Sequence, residues 1–268
     1  NAATASAQVF TGAIRRMFFA GRDSSKIIIP RVGLSELLVE PAAALIRKNG
    51  GIIRLNAEVK NLHVEEDELT GVYLRNGEFL EADCCIAAVT PSALKNILEE
   101  TIFEKHFYAA GQFKSFPIVS VYLWLGRNVD ELFQGDFIGC IGTTIQWIFK
   151  KSASCIEVTI SDAGRLRDCS RAELVRLVTR ELNSLFPGLD RSMITHFQII
   201  KERSATFSAE QEAARPDQET PINNLFIIGD WTRTGLPSTI ESAVKSAYLA
   251  VEKIGLEQNP MIKEEICA

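Results

Sequence analysis

The stretch from residue 224 to residue 250, NLFIIGDWTRTGLPSTIESAVKSAYLA, constrains the fold more than any other. Leu225, Phe226, Ile227 and Ile228 form an apolar run without helical period, closed by Gly229, and predict a strand buried on both faces. Asp230 follows at its carboxyl end. Ser238-x-x-Glu241 has the spacing of a capping box, and Ile240, Ala243, Val244, Ala247 and Val251 then recur at helical spacing until Gly255. The predicted unit is therefore strand, acidic residue, short polar loop and helix start. A helix start offers unpaired backbone N–H groups and the positive end of a dipole, while a carboxylate at a strand end accepts hydrogen bonds from sugar-like hydroxyls. Together they suit a nucleotide that carries a polyol.

A length of 268 residues allows one large domain or two. A net charge of −5, with Lys and Arg scattered rather than clustered, leaves no electrostatic footprint for nucleic acid. The six cysteines, Cys84, Cys85, Cys140, Cys155, Cys169 and Cys267, include no C-x-x-C pair and no histidine at ligand spacing. They are read as reduced core thiols, and no metal site is expected. His63, His106 and His196 sit in strand or helix text as ordinary residues. No apolar run reaches the length of a membrane span, and signal-peptide regions are not recognised. The expected location is cytoplasmic, with at most a peripheral contact at the inner face of a membrane.

Along the chain, Val9, Phe10, Ala13, Ile14, Met17 and Phe18 form one helical face with Arg15 and Arg16 opposite. Residues 26–30 read as extended, and residues 35–49 as helical text broken at Pro41. Strands are predicted over residues 52–55, 58–64, 69–74 and 78–82, the last two joined by an Asn76-Gly77 hairpin turn. A further buried strand spans residues 83–89, and a helix carrying Leu94, Ile97 and Leu98 starts at Thr90-Pro91. Residues 117–125, 144–149, 155–161 and 193–202 are rich in β-branched and aromatic residues and predict a second, largely antiparallel unit. Ser170-x-x-Glu173 caps a helix with Leu174, Leu177, Val178, Leu182 and Leu185 on one face. Tyr122, Trp124, Trp147, Phe149 and Phe197 are that unit's aromatics. Residues 213–224 read as a polar surface connection, and the tail over residues 257–268 is assigned no function.

The run Gly229-Asp230-Trp231-Thr232, then Thr234-Gly235-Leu236-Pro237-Ser238-Thr239-Ile240-Glu241-Ser242-Ala243-Val244, resembles the C-terminal flavin motif of FAD-dependent desaturases and amine oxidases. Its wording is most similar to the squalene-associated branch, the hydroxysqualene dehydroxylases. Ser6-Ala7-Gln8-Val9-Phe10 and Pro30-Arg31-Val32-Gly33-Leu34-Ser35 extend the likeness over most of the chain. The resemblance implies an α/β fold of mixed α+β character, a partial FAD-binding Rossmann-like domain interleaved with a substrate domain on a largely antiparallel sheet. It assigns residues 31–92 and 223–256 to the FAD-binding domain, and residues 1–30 and 93–222 to the substrate domain. It places Val59, Gly229, Asp230, Pro237, Ser238, Thr239 and Ile240 on FAD, with Val59 against the adenine, and gives Tyr122, Trp124, Trp147 and Phe149 to the substrate wall. No catalytic residue is identified. With no cysteine near residues 205–216, FAD is expected to bind non-covalently.

No two glycines stand one residue apart, so no G-x-G-x-x-G fingerprint occurs. The resembling family opens with that fingerprint. The chain is therefore expected to be a C-terminal piece that alone binds FAD poorly, is inactive, and self-associates through exposed edges. Amine oxidases carry a lysine where this chain has Ser120 and a tyrosine where it has Thr239, and both departures argue against an amine substrate. The implied activity is reductive dehydroxylation of hydroxysqualene to squalene. Phytoene-type desaturation is the alternative, and a non-catalytic prenyl-lipid carrier is the alternative of another class. The implied partner is an isoprenoid lipid, met at a membrane surface through the helix over residues 9–19.

Overall fold

Ser6 opens the first helix, α1 (Ala7–Phe19), by accepting the Val9 N–H on its hydroxyl at 3.3 Å. The computed structural model describes residues 6–207 and 215–255; the tail, Cys267 and most of the 205–216 window lie outside the described residues. Two compact units emerge, one from segments 1–113 and 209–268, the other from segment 114–208.

In the first unit, a π-helical turn over Ser35–Val39 runs directly into α2 (Glu40–Lys48). The expected break at Pro41 does not occur: the helix passes through Pro41 by way of the wider π-helical turn just before it, in which the Glu40 N–H donates to the Ser35 carbonyl. Neither segment buries a residue. Three antiparallel strands follow, β1 (Val59–Glu65), β2 (Glu68–Leu74) and β3 (Phe79–Glu81). The Asn76-Gly77 turn forms as predicted: Gly77 takes φ +90°, and Asn76 Oδ1 accepts the Glu78 N–H at 3.0 Å. The strand expected over residues 52–55 does not form, since it finds no partner strand among the described residues and leaves Ile52 85% exposed. β4 (Cys85–Ala87) is shorter than expected and not fully buried: it pairs on one side only, and Cys84 and Ile86 are exposed. Thr90 caps α3 (Pro91–Ile97) as expected, accepting from the Ala93 N–H. Two short helices not foreseen in the sequence, α4 (Glu100–His106) and α5 (Tyr108–Gly111), follow it with Phe103 and Phe107 buried.

The second unit is one antiparallel sheet in the order β6-β7-β8-β5-β9. Its strands are β5 (Ser115–Leu125), β6 (Phe137–Gly139), β7 (Trp147–Ser152), β8 (Cys155–Ile160) and β9 (Ile194–Phe207). Strict alternation turns Val119, Val121, Leu123, Ile148, Ile156 and Val158 onto one face, where Leu174, Val178 and Leu182 of α6 (Arg171–Leu185) complete a buried core. The Ser170–Glu173 capping box forms with both of its hydrogen bonds. β7 begins three residues later than expected because the Glu181 carboxylate of α6 accepts the Thr144 and Ile145 N–H groups at 3.1 and 3.0 Å, holding that segment off the sheet. Phe197 packs against the core, on the opposite face from the other four aromatics.

The five described cysteines are free, as expected, but only Cys155 is buried, so they are not core thiols as a class. Among the described residues, no helix is long and apolar enough to cross a membrane. The chain then returns to the first unit through β10 (Leu225–Ile227) and α7 (Ile240–Ile254).

Candidate functional site: a strand, an aspartate and an open helix start

β10 pairs in parallel with β4, Leu225 opposite Cys85 and Ile227 opposite Ala87, and Ile228 donates its N–H to the Ala87 carbonyl at 3.2 Å. Leu225 and Ile227 are buried, while Phe226 and Ile228 are half-buried, so the strand is covered more fully on one face than the other. Gly229 then takes φ +148°, and a Cβ there would come within 2.7 Å of the Trp231 indole. Only glycine fits this turn. Its N–H donates to Ser246 Oγ of α7 at 2.8 Å, and the buried Trp231 donates its Nε1–H to the Val89 carbonyl at 2.8 Å. Helix and strand end thus clamp the turn from two sides and fix the backbone that carries Asp230.

The loop after Asp230 is braced by side chains from the stretch expected to be a surface connection. Arg215 is buried and donates through Nη1 to the carbonyls of Asp230 and Leu236, both at 3.0 Å. Gln218, also buried, donates to Thr232 Oγ1 at 2.9 Å and to the Arg233 carbonyl at 3.2 Å. Residues 213–224 are therefore not simply a surface connection: Arg215, Gln218 and Ile222 are interior, and a buried guanidinium is retained only when it is hydrogen-bonded. Thr234 and Ser242 share a hydroxyl hydrogen bond at 2.6 Å, and Lys245 Nζ donates to the Thr234 carbonyl at 2.7 Å. These contacts tie the loop to α7.

The capping arrangement differs from the sequence expectation by one residue. Thr239, not Ser238, is the N-cap of α7, accepting the Ser242 N–H on its hydroxyl. The Ser238 hydroxyl instead donates to the Asp230 carboxylate, which holds that side chain on Asp230 rather than over the helix start. Thr239 and Ile240 are exposed, and the N–H groups of the first turn have no intrahelical acceptor by construction. The helix start is thus open. Glu241 in that first turn pairs with Arg16 of α1 at 2.9 Å.

Among the expected cofactor residues, Gly229, Asp230, Pro237, Ser238, Thr239 and Ile240 come together in this turn and helix start. Val59 stands apart, on β1. There it lines a cleft of about 470 Å³ with Leu62, Val72, Cys85, Ala87, Val89 and Ala93. The segment from β4 to Val89 relates the two places, since Cys85, Ala87 and Val89 line that cleft and the Val89 carbonyl holds Trp231. The donor set fits a flavin nucleotide: a carboxylate with lone pairs left for polyol hydroxyls, beside a capped helix start whose positive end is exposed. Burial pushes the Cys85 thiol up, with Cys84 adding to the shift, so Cys85 is no thiolate nucleophile. Among the described residues, no cluster of His, Cys, Asp and Glu is arranged to hold a metal ion.

In the second unit, Tyr122, Trp124, Trp147 and Phe149 share the face of the sheet turned away from α6. Trp147 stacks on Phe149 at 6.1 Å and meets Phe137 at 5.8 Å, and Trp124 lies 5.0 Å from His196. Ser120 lies on this face too, opposite Thr159 and Ile200.

A strand ending in an aspartate before an open helix start, with a separate antiparallel sheet, defines a flavoprotein-like architecture. The profile of the flavin containing amine oxidoreductase family matches residues 5–255, and the chain belongs to that family. FAD is accordingly its cofactor. The chain is 31% identical over 250 residues to a hydroxysqualene dehydroxylase of Sinorhizobium fredii, spanning 92% of this chain and 57% of that protein. It is 23% identical over 255 residues to a 15-cis-phytoene desaturase of Solanum lycopersicum, spanning 88% of this chain and 44% of that protein. The fold is similar to that of an oxidoreductase from Methanosarcina mazei, with a TM-score of 0.63 at 17% identity, over 81% of this chain and 52% of that one. The chain thus spans about half the length of the relatives it matches.

Proposed function

We propose that the protein is an FAD-dependent oxidoreductase that removes the allylic hydroxyl of a long isoprenoid alcohol of the hydroxysqualene type. The observation that carries this reading is the 31% identity over 250 residues to a hydroxysqualene dehydroxylase, and the open helix start after Asp230 supports it. Asp230 holds ribityl hydroxyls, with Ser238 fixing its carboxylate. Thr239 and Ile240 present backbone N–H groups to the pyrimidine end of the ring, where the positive end of α7 favours negative charge. Backbone groups at Val59 meet the adenine, and the flavin is held without a covalent bond. Reduced FAD held there would supply hydride chemistry at an allylic carbon, the hydroxyl being lost with a proton as water.

The chain's share of the work is to bind, orient and keep the reaction dry. The Tyr122, Trp124, Trp147 and Phe149 face offers apolar area, and burial at about 25 cal/mol per Å² binds a C30 hydrocarbon without a charged anchor. Ser120 and Thr239 stand where amine oxidases carry lysine and tyrosine, which disfavours an amine. Such a substrate resides in a bilayer, and α1 exposes Phe10, Phe18 and Phe19 beside Arg15 and Arg16, a pattern suited to a membrane surface. The experiment is to incubate the enzyme with FAD, a reductant and hydroxysqualene in detergent and to follow squalene by mass. Squalene formation supports the reading. Conversion of phytoene under oxidising conditions with hydroxysqualene untouched moves the protein to desaturation, and tight isoprenoid binding without flavin moves it to a carrier.

A further inference from the structure

The aromatic face of the five-stranded sheet has an acidic residue, Glu157, at its centre. β8 is the middle strand, and the register places Phe137, Phe149, Glu157, Tyr122 and Gln198 side by side in one row across all five strands. Rows on either side carry Trp147 and Thr159, and Cys155 and Trp124. Glu157 therefore projects from the middle of an apolar, aromatic surface, with a side chain only 15% exposed. Withdrawing a carboxylate from water is costly, and Lys151, its ion-pair partner at 3.6 Å, is itself half exposed and compensates weakly. Tyr122 leans on the same carboxylate: burial, then the Glu157 charge and hydrogen bond, hold the Tyr122 hydroxyl above its ordinary value, so it stays a neutral donor. A fold that needed only a sheet would place a hydrophobe or threonine here.

We infer that Glu157 is the hydroxyl-binding residue of this face, accepting a hydrogen bond from the alcohol of an isoprenoid whose hydrocarbon chain lies over Tyr122, Trp124, Trp147 and Phe149. The inference rests on the isoprenoid reading above and adds the group that orients the C–O bond. A neutral alcohol suits this carboxylate because free lone pairs remain to accept from O–H, while the nearby Lys151 ammonium repels a second cation. A hydrocarbon of the same length gains the apolar contact but leaves the carboxylate without that bond.

The test is to titrate the 268-residue chain with farnesol, with farnesene and with farnesylamine, following tryptophan fluorescence, since Trp124 and Trp147 flank Glu157. The wild type is expected to bind farnesol about tenfold more tightly than farnesene, the size of one charge-assisted hydrogen bond. Glu157→Leu is expected to erase that preference with farnesene affinity within about twofold, and the isosteric Glu157→Gln to cut it to about threefold or less, deciding the matter if the leucine variant does not fold. A wild-type preference retained in Glu157→Gln overturns the assignment. So does equal wild-type affinity for farnesol and farnesene, which leaves the isoprenoid reading standing. Tighter binding of farnesylamine than of farnesol overturns it in favour of a cation site, and failure to bind any of the three removes both the inference and the reading beneath it.

Discussion

The two compact units treat the same kind of apolar pattern in opposite ways. In the second, the alternating residues of β5, β7 and β8 meet the one apolar face of α6, and Val121, Leu123, Ile148, Ile156 and Val158 are completely buried. In the first, Leu37, Leu38, Val39, Leu45 and Ile46 of the Ser35–Lys48 helix recur with equal regularity, yet all are exposed, as are Ile52 and Leu55. Periodicity shows that an element has an apolar face. It does not show what covers that face, and stability follows the covering.

The comparison breaks or sharpens most visibly through truncation. Leu123→Ala or Ile156→Ala removes a fully buried side chain from the sheet core and is expected to cost about 2–5 kcal/mol in urea unfolding. Leu38→Ala or Ile52→Ala is expected to change stability by no more than about 0.5 kcal/mol. An equally large loss at Leu38 would mean that a further segment or a second copy covers the helix in solution, and sedimentation velocity of wild type and Leu38→Ala separates those two cases.

A smaller effect is expected at Gly229→Ala, which forces a side chain into a left-handed backbone and onto the Trp231 indole. A loss of about 1–3 kcal/mol in thermal stability is expected, together with weaker FAD binding as Asp230 shifts. An unchanged melt would show that the turn is more pliant than the clamp from Val89 and Ser246 implies.

The smallest effect belongs to the capping box of α6. Hydrogen bonds from Ser170 hold the Glu173 carboxyl below its ordinary value. A depressed folded-state value means that the cap stabilises above the ordinary carboxylate range and loses its contribution as pH falls through the lowered value. Glu173→Gln should flatten that part of the acid limb of stability between mildly acidic and strongly acidic buffer. A variant whose acid limb overlays the wild type would remove the cap from the account of this unit.

Where a local signal and its partner lie close in sequence, the structure was legible beforehand. Ser170 and Glu173, Asn76-Gly77, Thr90 and the β10–Asp230–α7 order are of this kind, and each appears in place. What could not be read depended on competition or on distant partners. Ser238 and Thr239 are adjacent hydroxyls with similar claim to the cap, and in the fold Thr239 takes it while Ser238 is held on the distant Asp230. Residues 52–55 have strand composition without a partner strand. Phe197 shares the composition of the other aromatics, but its register opposite Leu123 turns it to the core. Arg215 and Gln218 lie in a polar stretch, and only the bracing of the loop after Asp230 reveals them. Glu157 was invisible for the same reason, since its row is assembled from four separate strand pairings.

The central claim is that the Gly229–Ile240 turn and helix start hold FAD, with Asp230 as the polyol acceptor. Its most direct test is equilibrium titration of FAD into the protein at the full length of its relatives and into the Asp230→Ala variant of that protein, followed by flavin fluorescence at matched thermal stability. Loss of charge-assisted hydrogen bonds worth roughly 1.5–3 kcal/mol predicts affinity lowered by about tenfold or more in the variant. A variant that melts like the wild type and binds FAD with undiminished affinity would contradict the account.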